Sequence, residues 1–200
     1  MKLFWSSRSP FVRKVMIAAH ELGLADRIVT ERVVVAAVKP NPDVVEHNPL
    51  GKIPTLILDD GTVLYDSRVI LEFLDSTYGG SLIPPAGPAR WRALTMQALA
   101  DGIMEADLRW MEERNRPLEQ RREPHAVGMK SKIDAGLALL EREPPEGLTI
   151  GAVAVGSALA HLDFRFPDLL WRPARPRLAS WFETFGARPS MRATMFVDQY

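Results

Sequence analysis

The stretch Gly79-Gly80-Ser81-Leu82-Ile83-Pro84-Pro85-Ala86-Gly87-Pro88 divides the chain more sharply than any other feature. Glycine removes conformational restraint and proline removes a backbone donor, so a segment this rich in both is expected to hold no regular element. Strand-like and helical patterns alternate before it, whereas strand signals almost vanish after it. The chain therefore reads as a mixed α/β domain over residues 1–78, a linker over 79–89 and an all-helical domain over 90–200. A length of 200 residues suits one large or two small domains, and composition alone does not choose between them.

In the first part, Leu3 to Trp5 is a short apolar run that suits a buried strand. Ser9 is a good helix cap, Pro10 fits the first helical position, and Val12, Val15, Met16 and Ala19 follow at helical spacing to Gly23. Ile28 to Val35 is rich in β-branched residues and completes a β-α-β unit, its valine run predicting a sheet covered on both faces. Ala36 to Lys52 holds Pro40, Pro42, Pro49 and Gly51 and predicts loop with one helical turn at most. Thr55 to Leu58 and Thr62 to Tyr65 flank Asp59-Asp60-Gly61, a hairpin signature. Asp66 or Ser67 then caps a helix with Ile70, Phe73 and Leu74 on its apolar face.

In the second part, Trp91, Leu94 and Ala98, then Ile133, Leu137 and Leu140, recur at helical spacing. The segment from Thr149 to about Phe164 is apolar on nearly every side, which predicts a helix buried in the middle of its domain. The stretch Arg109 to Glu123 mixes both charge signs and reads as a solvated helix face and loop. Leu178, Trp181, Phe182 and Phe185 mark a last amphipathic helix.

Several function classes are disfavoured. Lys plus Arg and Asp plus Glu each total 25, so no net field draws the chain to nucleic acid or an anionic membrane. With no cysteine there is no disulfide, thiolate metal site or protein thiol nucleophile, and sulfur chemistry needs a ligand's sulfur. The four histidines, His20, His47, His125 and His161, lack metal-ligand spacing, and no metal is expected. No apolar run reaches membrane-spanning length and no secretory leader is evident, which makes the cytoplasm the expected location.

Four stretches together carry a resemblance: Ser6-Ser7-Arg8-Ser9-Pro10-Phe11-Val12-Arg13-Lys14-Val15; Asn48-Pro49-Leu50-Gly51-Lys52-Ile53-Pro54-Thr55-Leu56; Leu64-Tyr65-Asp66-Ser67-Arg68-Val69-Ile70; and Leu148-Thr149-Ile150-Gly151-Ala152-Val153-Ala154-Val155. In this order and spacing the chain resembles the cytosolic glutathione transferase family, nearest to a bacterial, serine-type branch. The resemblance implies a thioredoxin-like N-terminal domain, an all-helical C-terminal domain that contributes the second-substrate pocket, and a homodimer. It implies activation of the glutathione thiolate for attack on a small apolar electrophile, a detoxification chemistry with glutathione as co-substrate and no other cofactor. The alternative is a glutathione-binding or regulatory protein of the same fold without useful turnover.

The resemblance also assigns residues. Ser9 would activate the thiol, Ile53 before a cis Pro54 would pair its backbone with the tripeptide, Asp66 and Ser67 would hold its γ-glutamyl end, and Lys52 would reach its glycyl carboxylate. Each has a plainer reading. Ser9, Asp66 and Ser67 are ordinary cap residues, Pro54 is tolerated at a strand start, and Lys52 suits a solvated surface. Ser6 and Ser7 remain rivals for the active hydroxyl. His47 is a candidate for the loop near the tripeptide. Met104, Trp110 and Met111 line either the second-substrate pocket or the helical core. Thr149 is expected to cap its helix, although Ala152 stands where the family usually has Asp, so the reciprocal bond of a capping box is missing.

Overall fold

The computed structural model describes residues 1–36 and 39–198; Ala37 and Val38, in the loop expected over Ala36–Lys52, and the terminal Gln199 and Tyr200 lie outside that description. The chain forms two compact units, Met1–Pro85 joined by Pro189–Tyr200, and Ala86–Arg188.

The first unit is thioredoxin-like. Strands β1 (Lys2–Trp5), β2 (Val29–Arg32), β3 (Thr55–Ile57) and β4 (Val63–Leu64) form one sheet in the order β2-β1-β3-β4. β2 runs parallel to β1, with Lys2 opposite Val29 and Trp5 opposite Arg32. β3 is antiparallel to β1, with Lys2 opposite Ile57 and Phe4 opposite Thr55, and β4 is antiparallel to β3, with Leu56 opposite Leu64. The hairpin closes as expected: Leu58 N–H donates to the Thr62 carbonyl, Asp60 Oδ1 accepts Thr62 N–H at 2.8 Å, and Gly61 takes the positive φ of 86°. The valine run behaves differently from its prediction. β2 stops at Arg32 and is a sheet edge, leaving Val29 and Val34 exposed, while Val33 turns inward onto Phe4 and Val44. The β-branched pattern found the strand, but coverage depends on its place in the sheet.

Helix α1 (Pro10–Glu21) buries Val12, Val15, Ile17, Ala18 and Ala19; α2 (Pro42–His47) is the short turn in the loop; α3 (Ser67–Thr77) buries Ile70, Leu71 and Leu74. The linker begins inside this unit. Buried Asp75 accepts the amides of Leu82 at 2.8 Å and Ile83 at 3.1 Å, which fixes the Gly-Ser stretch against α3.

In the second unit, α4 (Gly87–Arg114) starts within the Gly/Pro cluster, contrary to the expectation that no element survives there. Pro88 lies in its first turn, where a missing amide costs nothing and the fixed φ is already helical. Its buried stripe is Ala93, Gln97, Ala100, Ile103, Met104 and Asp107, while Trp91 is 65% exposed, so the Trp91-Leu94-Ala98 spacing found the helix and misplaced its inner face. α5 (Glu123–Arg142) buries Ile133, Leu137 and Leu140, and α7 (Pro176–Gly186) buries Leu178, Phe182 and Phe185. α6 (Ile150–Arg165) is buried along nearly its whole length, and Thr149 caps it by accepting Ala152 N–H at 3.2 Å. A Cβ on Gly151 would lie 2.9 Å from the Ala93 carbonyl, so the α4–α6 crossing requires glycine there. Met104 is fully buried, and Trp110 stacks on Phe166 with centroids 4.0 Å apart.

The last segment departs from the 90–200 assignment. α8 (Pro189–Ala193) and the residues after it pack against α1 in the first unit, held by Arg13, whose guanidinium donates to the Met191 carbonyl at 3.0 Å, and by Ser190, whose hydroxyl donates to Glu21.

Candidate functional site

Strand direction gathers the predicted residues. Because β1 and β4 run one way and β3 the other, the end of β1, the start of β3 and the end of β4 lie at one edge of the sheet. The turn Ser6–Ser9, the segment Lys52–Pro54 and the pair Asp66–Ser67 follow or precede these strands directly. All six assigned residues, Ser9, Lys52, Ile53, Pro54, Asp66 and Ser67, therefore occupy the same end of the first unit.

Two helices begin there. Ser9 caps α1: its Oγ accepts Val12 N–H at 3.3 Å, which leaves its own proton to donate. Asp66 caps α3, with Oδ1 accepting Arg68 N–H at 2.9 Å, and the next residue, Ser67, is buried at the first helical position. Neither helix has an acidic side chain in its first turn, and the amide-rich, positive ends of both dipoles face this edge, with the Asp66 carboxylate at the cap of α3.

Of the three serines of the first turn, Ser7 alone commits its proton to a partner among the described residues. Ser7 Oγ donates to the Val197 carbonyl at 2.9 Å, and Ser6 Oγ accepts Arg8 N–H at a long 3.4 Å. Ser9 Oγ donates to no partner among the described residues, and it alone of the three is also the helix cap.

Ile53 presents backbone. The peptide bond between Ile53 and Pro54 is cis, as is that between Tyr65 and Asp66. The Ile53 side chain packs on the cluster of Phe4, Val33 and Val44, and neither its N–H nor its carbonyl is hydrogen-bonded among the described residues. The loop before it is set by a group the sequence reading did not single out. Buried Asn48 donates from Nδ2 to the Lys52 carbonyl at 3.1 Å and to Thr55 Oγ1 at 3.0 Å, and accepts Leu50 N–H at 3.1 Å, while Thr55 Oγ1 donates to that same Lys52 carbonyl at 2.8 Å. The Lys52 backbone is thus pinned while its side chain is exposed and makes no ion pair among the described residues. Asn beside a Pro-Leu-Gly turn marks a loop former in advance, but not these buried bonds. His47 lies over Phe4, ring centroids 5.6 Å apart.

A second feature escaped the sequence reading. In the helical unit His161 Nδ1 lies 2.9 and 2.8 Å from the two carboxyl oxygens of Asp107, both residues being fully buried. Burial raises the Asp107 pKa above the ordinary carboxylate range despite the opposing pull of His161. An aspartate in the inner phase of α4 and a histidine inside an otherwise apolar helix were the available signs.

Comparison with known proteins identifies the family and agrees with the fold. Residues 8–77 match the family described as glutathione S-transferase, N-terminal domain, and residues 97–184 match glutathione S-transferase, C-terminal domain. The chain is 32% identical to the GST-like protein YibF of Escherichia coli (strain K12), over 97% of this chain and 98% of that protein. It is 46% identical to a glutathione transferase family member from Pseudomonas fluorescens Pf-5 solved with bound glutathione, with a TM-score of 0.94 over 97% of this chain and 98% of that one. A second structure of that protein, with bound S-(propanoic acid)-glutathione, gives a TM-score of 0.89 at the same identity and coverage.

Proposed function

Since the chain belongs to the glutathione S-transferase family, we propose that it binds glutathione at the sheet edge bearing Ser9, Ile53 and Ser67 and activates its thiol for attack on a small apolar electrophile. The observation that carries this reading is the unpaired backbone of Ile53, set between two amide-rich helix starts. An extended tripeptide pairs with such an edge as an added strand. Its γ-glutamyl carboxylate meets the amides and hydroxyl at Ser67, its ammonium meets Asp66, and its glycyl carboxylate meets Lys52. Pro54 adds no donor and leaves that edge to the ligand.

The sulfur then faces Ser9. A free thiol has a pKa of about 8.5, and a hydroxyl donor with helix amides stabilises the thiolate and raises its population at neutral pH. The thiolate lone pair forms the new C–S bond while the electrophile's leaving group departs with its own electron pair. No further cofactor takes part in this reading. The S-alkylated glutathione in the Pseudomonas fluorescens structure has the product chemistry expected of such a step.

We read the protein as a cytoplasmic homodimer, two-fold dimers being the commonest oligomers, and sedimentation equilibrium at micromolar concentration should return twice the mass of one chain. No helix among the described residues is long and apolar enough to cross a membrane. Calorimetric titration with glutathione followed by turnover against a panel of electrophiles tests the function. No binding refutes the reading, and binding without turnover assigns the chain to the non-catalytic alternative.

A further inference from the structure

The residues that follow α8 grip the chain on both sides of Ser9. Upstream, Val197 N–H donates to the Ser7 carbonyl at 3.3 Å while Ser7 Oγ donates to the Val197 carbonyl at 2.9 Å, a reciprocal pair that fixes register. Arg8 Nε donates to Asp198 Oδ1 at 2.6 Å. Downstream, one turn into α1, the Arg13 guanidinium lies under the Phe196 ring, 4.4 Å from its centroid, and reaches Thr194 Oγ1 at 3.4 Å and the Met191 carbonyl. Arg13 N–H in turn donates to the Ser9 carbonyl at 3.0 Å, so the downstream grip connects to Ser9 through one backbone bond. Arg13 is buried enough that desolvation lowers its pKa to about 10, and a guanidinium in that setting has little freedom to wander.

We propose that Phe196, Val197 and Asp198 are positioning residues for the Ser9 hydroxyl, forming a strap that holds the Ser6–Ser9 turn and the first turn of α1 in the geometry that points the Ser9 proton outward. This rests on Ser9 as the thiol-activating group. The strap's bonds and ring contact named above fall on Ser7, Arg8 and Arg13, on either side of Ser9, so it acts on thiol activation and not on tripeptide affinity. A loop of four residues between a strand and a helix is short, yet its two middle residues, Ser7 and Arg8, have their side chains committed to the strap. The ion pair is partly exposed and adds little by itself; the backbone pair with Val197 and the packing on Arg13 carry the geometry.

The test uses the full chain. Val197→Pro removes the amide that donates to Ser7, Asp198→Ala removes the carboxylate, and the double variant combines them. Asp198→Glu is the conservative rescue, and Met195→Ala, at an exposed strap position that makes no hydrogen bond to the turn, is the control. In the ligand-free double variant, amide exchange over Ser6–Val12 should accelerate about tenfold. The titration of bound glutathione should move up about half a unit, which lowers the thiolate fraction and kcat near neutral pH about threefold, with KM for glutathione within a factor of two. Asp198→Glu and Met195→Ala should match the wild type. Unchanged exchange, faster exchange with an unmoved titration, or an equal loss in Met195→Ala each overturns the proposal. Absence of glutathione binding by the wild type is seen before any variant is made and overturns the underlying reading with it.

Discussion

Replacing Ser9 by alanine separates two things that one hydroxyl does. As a cap it accepts Val12 N–H at 3.3 Å, a long bond, so the loss of fold stability belongs at the low end of the range for caps, about 0.5–1 kcal/mol. In the proposed function it also gives its proton to the ligand sulfur. A hydrogen bond to a charged group is worth roughly 1.5–3 kcal/mol, and one pKa unit corresponds to about 1.36 kcal/mol. Ser9 is only partly buried, which favours the lower figure and a rise of about one unit in the bound thiol pKa. The α1 amides remain and keep part of the stabilisation, so turnover near neutral pH should fall about tenfold at most. Glutathione affinity should change little, because the proposed site holds the tripeptide at Ile53 and Ser67. Ultraviolet absorbance of the complex against pH reads the thiolate directly. Ser7 is a poor rival, since its proton already goes to Val197. If Ser9→Ala leaves titration and turnover untouched while Ser6→Ala removes them, the active hydroxyl has been placed on the wrong residue.

Replacing Asp66 and Ser67 together by alanine should weaken glutathione binding by roughly 1–3 kcal/mol in calorimetry, and an unchanged affinity would sink their assignment. Gly151→Ala puts a methyl against the Ala93 carbonyl, a backbone atom that cannot yield alone, and should cost about 1–3 kcal/mol by urea denaturation; an unmoved midpoint contradicts the close crossing. Asp107 is held above its unfolded pKa of about 3.9, so the folded chain keeps a proton that the unfolded chain has lost, and stability falls as pH rises from about 4 toward the folded-state value. Asp107→Asn removes that titration, so the wild type should lose stability relative to the variant as pH rises above about 4, whereas parallel curves refute the shift.

The parts of the fold set by local rules were legible. Ser9-Pro10, Asp60-Gly61 and Thr149 act through their own backbone neighbours, and each performs the local task its type suggests. Burial was harder to read, because it depends on partners distant in sequence. The valines at 33–35 suit any strand, and only the sheet order makes β2 an edge. In α4 the inner face carries Gln97, Asp101 and Asp107, so an apolar search lands on Trp91 and Ala98 instead. At the candidate site the cap residues were visible as types, but the commitment of Ser7 to Val197 spans 190 positions and leaves no trace in spacing. Asn48 was visible only as a loop former, since its buried bonds to Lys52 and Thr55 depend on the completed turn.

The return of Pro189–Tyr200 to the first unit matters for how the protein is made. Synthesis runs from the N-terminus, and about a hundred residues of the helical unit leave the ribosome between Pro85 and Pro189. At roughly 5–20 residues per second, the sheet and α1 exist for about 5 to 20 s before the segment that completes them is available. During that interval the Arg13 guanidinium lacks both the Met191 carbonyl and the Phe196 ring, and Ser7 lacks Val197. The unit that emerges earlier of the two is therefore finished later, and the turn that bears Ser9 is set only once Val197 and Asp198 have been translated.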